Sequence, residues 1–349
     1  NCTNPSAKAV NVRDQSTQDI VISDNSIQGG NSWENKSVTI SNFVSNLTFS
    51  NNTIESGSWA IYVFWSDEIE ISHNTISDVN YGIYVDNLAS MVEISSNRIL
   101  NVISNPEEPG GTSGIYLDDV MEVSVFNNYI HTAGVQPVTG IALNDISTCE
   151  VHFNSINIAT EDLQGQSNGI DVDVSDGLIA RNNILYNHRQ GVPVSINNST
   201  DIHFDYSNYY SYTGGIGIFD GTLYTDLTEW SGATGFDQES FSVNPFFTSL
   251  TDLSMNQVLL NNAGVPVDGI SFDIDGTARN AVSPDIGAKE YVPCNRDAGI
   301  NAVVSPENPL STGNQQVILS LQNQGTNTLN SVKINWQVND VVQAHYLWN

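Results

Sequence analysis

One short pattern recurs along most of the chain and limits what the chain can fold into. It reads apolar, two residues, asparagine, one residue, isoleucine. The copies are Ile22/Asn25/Ile27, Phe49/Asn52/Ile54, Ile71/Asn74/Ile76, Ile94/Asn97/Ile99, Val125/Asn128/Ile130, Val151/Asn154/Ile156 and Ile179/Asn182/Ile184. A degenerate copy follows at Ile202/Asp205. Successive asparagines are 27, 22, 23, 31, 26 and 28 residues apart. A base period of about 22 residues with insertions is the mark of a repeat architecture whose units bury their apolar faces only by stacking.

A second pattern precedes each asparagine by about 14 residues. It runs Ala60-Ile-Tyr-Val63, Gly82-Ile-Tyr-Val85, Gly114-Ile-Tyr-Leu117, Gly140-Ile-Ala-Leu143, Gly169-Ile-Asp-Val172 and Gly191-Val-Pro-Val194. Both patterns alternate apolar and polar residues, which is the strand period, and almost nothing has the period of a long amphipathic helix. Equivalent residues of stacked parallel coils lie about 4.8 Å apart. Ile61, Ile83, Ile115, Ile141 and Ile170 then form one inward column, and the asparagines an inward ladder of amides at a turn. The expected fold is all-β, a right-handed parallel β-helix over residues 1–293 with a closing region from about 216.

Residues 15–215 resemble the β-helix repeats of the pectate-lyase-like superfamily, shared by pectin- and alginate-degrading enzymes and by many surface proteins. Two later stretches resemble the closing region of secreted, Bacteroidetes-like bacterial β-helix proteins. They are Trp230…Asp237…Ser240…Asn244-Pro245-Phe246 and Asp273…Arg279…Asp285…Glu290. The resemblance implies a secreted protein, extracellular or held at a bacterial cell surface. From Asp297 the composition shifts to turn residues, and Gln316–Asn323 and Val332–Val338 read as two alternating strands joined through Gly325. Residues 294–349 thus resemble the first half of an immunoglobulin-like module, a full sandwich needing roughly 100 residues.

Ten Lys and Arg against 39 Asp and Glu give a formal charge of −29. That balance argues against nucleic acid as a partner, because phosphate neutralisation needs cations. No apolar run approaches the ~18 residues of a membrane span, so no membrane insertion is expected. Three cysteines, Cys2, Cys149 and Cys294, leave at least one unpaired within the chain, and Cys149 falls at an inward, buried position.

The sharpest functional feature is what alternation leaves outside. With Ile61 and Val63 inward, Tyr62 and Phe64 point out. One outward column reads Tyr62, Tyr84, Tyr116, Ala142, Asp171, Pro193, and its neighbour Phe64, Asp86, Asp118, Asn144, Asp173, Ser195. Trp59 and Tyr81 join the same face. Rings at strand spacing offer apolar platforms for sugars, and carboxylates accept hydroxyl protons. The expected partner is a polysaccharide or cell-surface glycan, bound by an adhesin-like protein within a larger surface assembly. The competing account is that aromatic residues simply pair well across strands.

Catalytic residues are not assigned. Asp118-Asp119 resembles the paired aspartates of pectin-hydrolysing β-helices, but their accompanying Gly-His-Gly and Arg-x-Lys patterns are absent, and Asp119 falls in a turn column with Asn87 and Asp145. Lyases of this fold need a basic residue, and the best such cluster is His188/Arg189 near Asp171 and Asp173. Arg98 occupies an ordinary exposed position. A polysaccharide lyase or glycoside hydrolase acting on acidic glycans is therefore the alternative function. Asp171, Asp173 and Asp176 have the oxygen density to hold Ca²⁺, the one cofactor considered. Asp273, Asp275 and Arg279 read as a structural ion pair or turn. His73, His131, His152, His203 and His345 lack metal-ligand spacing and read as solvated positions.

Overall fold

The computed structural model describes residues 10–13, 19–30, 35–87, 89–104, 111–161, 166–188, 191–212, 215–305, 313, 315–338 and 341–349. The chain divides into two units, Asn1–Met255 with Leu260–Glu290, and Asn256–Leu259 with Tyr291–Asn349. The first is a parallel β-helix. Each coil contributes to three parallel ladders, and the long strands Thr53–Phe64 and Thr75–Asp86 bend so that their two halves serve different ladders. On the first face Ile61, Ile83, Ile115, Ile141, Ile170 and Val194 follow in register, all with no exposed surface. Each such side chain contributes about 1.5–3 kcal/mol relative to exposure, which is what holds coil to coil.

Two turn columns bend the chain between faces, each using one residue in the left-handed region. In one, Asn51, His73, Ser96, Asn127, Phe153 and Asn182 have φ of 56°, 55°, 54°, 57°, 54° and 59°. In the other, Asn87, Asp119 and Asp145 have φ of 57°, 53° and 50°. Asn and Asp tolerate this region best, so the turn reading of Asp119 holds. Immediately after the first column comes the ladder. The Nδ2 of Asn74 donates to Asn97 Oδ1 at 3.0 Å, that of Asn97 to Asn128 at 3.1 Å, and that of Asn128 to Asn154 at 3.0 Å.

The glycines of the second pattern have a steric cause. A Cβ on Gly82, Gly114, Gly140 or Gly169 would lie 2.4, 2.8, 2.5 or 2.5 Å from the carbonyl oxygen one coil further on. The residue that supplies this oxygen to Gly169 is Pro193, not Gly191. The register of this coil is thus displaced by two from the sequence expectation. Asp171 is followed by Ser195, and Asp173 by Asn197, in place of Pro193 and Ser195. A two-residue shift keeps every side chain on its face. The ladder shifts by one: Asn154 Nδ2 donates to Asn183 Oδ1 at 3.1 Å, while Asn182 is the turn residue. Ala180 and Phe204, rather than Ile179 and Ile202, take the inward positions aligned with Val151.

Past Asn183 the ladder continues through hydroxyls. Asn183 N donates to Ser207 Oγ, and Ser207 N to Ser240 Oγ. Ser240 belongs to the closing region, where buried Asp237 accepts from Ser240, Tyr209 and Trp230 Nε1 at 2.7, 2.8 and 2.7 Å. From there a largely irregular segment runs back along the third face. Asn157, Asn127 and Asn182 donate to the carbonyls of Leu250, Phe272 and Val265. The turn and ion-pair reading of this region is met with different partners. Asp273 accepts from the backbone of Asp275 and Thr277, Asp275 pairs with Lys289 and Arg98, and Arg279 pairs with Glu290. Arg98 is therefore an ion-paired residue rather than an ordinary surface one.

The structure also corrects two of the histidines. His131 and His152 are buried, 3% exposed each, and His131 neighbours Asn157 beneath the segment. Burial pushes both imidazoles down to about 4. Their folded values lie below the unfolded ~6.5, so the stability they leave intact at neutral pH is lost as pH falls from about 6.5 to about 4. Asp237 opposes this: burial raises its carboxyl to about 6, so acidification through that value favours the folded state. We expect the melting temperature of wild type to fall between pH 7 and pH 4.5. A His131→Gln/His152→Gln variant should lose that fall in a circular-dichroism melt, and an unchanged slope would refute the assignment.

Cys149 is buried and free, its thiol pushed up to about 12 by burial; Cys294 is exposed and free, and Cys2 lies outside the described residues. In the second unit Ile318–Asn323 pairs antiparallel with Ala298–Ser305, and Val332–Ile334 with Tyr346–Trp348. The two strands read from the sequence therefore do not pair with each other. Each finds a different partner, and Gly325 N donates to Asp297 O at 3.2 Å.

Candidate functional site

The first face carries the predicted row. Trp59 and Tyr81 are in register, as are Tyr62, Tyr84, Tyr116, Ala142 and Asp171, and Phe64, Asp86, Asp118, Asn144 and Asp173. All ten predicted binding residues therefore fall on one sheet face. Parallel in-register pairing places like residues above one another, so the rings meet. Trp59 stacks on Tyr81 at 4.5 Å between centroids, and Tyr84 on Tyr116 at 4.5 Å with the planes only 12° apart. Trp59 also lies 4.6 Å from Tyr84, and Tyr62 5.4 Å from Tyr84. Such pairs add about 0.5–1.5 kcal/mol beyond the area they bury. Most ring faces are thus taken by other rings, and Tyr81, predicted to be outward, is buried with its hydroxyl donating to Gly111 O at 2.6 Å.

Sequence reasoning missed the cation at one end of this row. Lys36 Nζ lies 3.3 Å from the Tyr62 ring centroid and 4.9 Å from that of Trp59. Lys36 is in register with Trp59, and Lys36–Ser41 alternates as the later coils do. Extending the repeat one coil towards the N-terminus would have found it. The carboxylates begin where the rings end. Tyr62 Oη donates to Asp86 Oδ2 at 3.1 Å, and Asn144 Nδ2 donates to Asp118. Burial raises Asp86 above the usual carboxylate range, outweighing hydrogen bonds from Asn87 and Tyr62 and the charge of Lys36. Burial likewise raises Asp171, against a hydrogen bond with Ser195. Tyr62, Tyr84 and Tyr116 are all raised, first by burial and then by their anionic neighbours, so the row is neutral phenol throughout the physiological range.

The suggested Ca²⁺ ligands are not brought together. Asp171 and Asp173 share the first face, but Val174, at φ 49°, turns the chain, and Asp176 opens the next strand, where it accepts from Thr200. Among the described residues no group of three or more His, Cys, Asp or Glu side chains is placed to hold a metal. Of the basic cluster, His188 Nδ1 is hydrogen-bonded to Tyr186 Oη at 2.7 Å, and Arg189 lies outside the described residues.

Three stacked parallel ladders, an asparagine ladder and one decorated face define a β-solenoid. The family profile described as right handed beta helix region matches residues 1–158 and 68–228, and the chain belongs to that family. No curated protein matches the sequence. Among solved structures it is similar to DFA-IIIase from Arthrobacter chlorophenolicus A6 in complex with DFA-III, at 11% identity and a TM-score of 0.41, over 82% of this chain and 75% of that one. A cysteine-to-alanine mutant of the same enzyme, also with DFA-III, aligns at 12% identity and a TM-score of 0.39, over 66% of each chain, just under two thirds of the enzyme's length. At these values the likeness does not extend to a site or a substrate.

Proposed function

We propose that this is an extracellular glycan-binding protein that recognises its ligand on the first face of the β-helix. The observation that carries the reading is the passage from five clustered rings at one end to carboxylates at the other along one in-register sheet face. Rigid aromatic edges and neutral phenols give contact area at low entropic cost, and Asp86, Asp118, Asp171 and Asp173 supply acceptors for hydroxyls. The acidic surface suits a secreted or cell-surface location. Catalysis on acidic glycans is the weaker reading, because the only cation within the described part of this row sits at its far end over Tyr62.

Screening the protein against immobilised glycans tests this. A Tyr84→Ala/Tyr116→Ala variant should retain its best glycan at least ten-fold less well, with no new unsaturated or reducing ends produced by wild type. Equal retention by the variant sinks the binding face. New chain ends with wild type replace the binding protein with an enzyme.

A further inference from the structure

The ring row stops in a definite way. Tyr84 and Tyr116 stack nearly parallel at 4.5 Å, so the row continues along the coil axis with one ring per coil. The next position in register is Ala142, and the one after it is Asp171. Ala142 is partly exposed and carries only a methyl group. Tyr116 and Asp171 therefore stand two strand spacings apart, about 9.6 Å, with a methyl floor between them. Among the described residues Tyr84 is the ring that Tyr116 stacks on, and its opposite side faces this gap. One coil's rise is the thickness of one stacked ring, so the gap admits one ring lying on Tyr116. In the neighbouring column Asn144 and Asp118, hydrogen-bonded to each other, form one wall at the same level.

We infer that the notch over Ala142 is a subsite for a single uncharged sugar ring. Its C–H face lies on Tyr116 and its hydroxyls donate to Asp171 and Asp118. The inference rests on the glycan-binding reading above and places one residue of that ligand. The chemistry follows from the walls. An aromatic face takes the apolar face of a sugar, and the largely buried carboxylate of Asp171, hydrogen-bonded to Ser195, accepts from hydroxyls. Asp118, Asp171 and Asp173 stand together at this end, whereas Lys36 stands at the other, so a uronate would bring like charge against like.

The test fills the notch. In an Ala142→Tyr variant a fourth tyrosine completes the row in a position that already favours rings. Binding is measured against oligosaccharides of glucose, galactose, mannose, xylose and fructose, and against oligogalacturonate. Wild type should bind at least one neutral series and bind oligogalacturonate at least ten-fold more weakly. Ala142→Tyr should lose at least ten-fold of the neutral binding with an undiminished melting temperature. Asp171→Asn, which keeps shape, should weaken the neutral ligand several-fold and narrow the gap to oligogalacturonate. If wild type binds and both variants bind equally well, the notch is refuted while the face survives. If wild type prefers oligogalacturonate, the uncharged ligand is refuted. If wild type binds no glycan, the glycan-binding reading fails and the subsite with it.

Discussion

Asn97→Leu is expected to destabilise the β-helix by about 3–5 kcal/mol, the sum of several buried polar groups left without partners. Asn97 is fully buried. Its Oδ1 accepts from both the backbone N and the Nδ2 of Asn74, each at 3.0 Å. Its Nδ2 donates to Ile71 O at 2.8 Å and to Asn128 Oδ1 at 3.1 Å. Leucine is of similar size, so the loss is not that of a cavity. It comes from two donors on Asn74 and the Ile71 carbonyl stranded in a dry interior, while Asn128 Oδ1 keeps the backbone N of residue 97 at 2.9 Å. Urea denaturation of wild type and variant measures it. A loss below 1 kcal/mol would mean that the ladder is decoration on a fold held by the apolar columns alone. Asn97→Asp separates charge from shape: it keeps the acceptor, removes both donor bonds and buries an anion, and should cost at least as much at neutral pH.

The fold was legible because its two signals are local and repeated. Alternation fixes which face a residue takes, and an asparagine at each turn marks the coil. Legibility failed where chemistry was degenerate. Asn182 and Asn183 are both asparagines, and small Ala180 fills the inward position while Ile179 and Ile184 point outward. Ile184 is apolar because the closing segment covers it: a Cβ on Gly287 would lie 2.6 Å from its Cδ1. His131 was misread for the same reason, since the covering segment comes from more than a hundred residues later and no periodicity announces it. The ring row was legible by parity alone. That its rings would consume one another's faces was not, because stacking depends on rotamers. What the row leaves open is therefore seen only in three dimensions, at the one position where a tyrosine column has an alanine.

Arg279→Met should release the closing segment at a cost of about 3–5 kcal/mol, the scale for removing one partner of a buried ion pair. Nη1 of Arg279 lies 3.0 Å from Glu290 Oε1, and Nη2 donates to Asn127 Oδ1 at 2.7 Å and to Gly287 O at 3.1 Å. Its guanidinium lies 3.9 Å from the centroid of Phe153. Asn127 and Phe153 are the left-handed turn residues just before ladder positions Asn128 and Asn154. One planar fork thus ties residues from the closing segment to two successive turns of the solenoid, a geometry lysine does not reproduce. Methionine fills the space over Phe153 but leaves Glu290 negative and nearly buried, its side chain 13% exposed. Hydrogen exchange should then show residues 260–290 losing protection first, ahead of strands such as Val138–His152. Adding Glu290→Gln should recover part of the loss, since it removes the stranded charge without restoring the fork. If Arg279→Met melts as one cooperative unit with unchanged protection over 260–290, the closing segment is held by its backbone bonds and apolar contacts, and the arginine is dispensable.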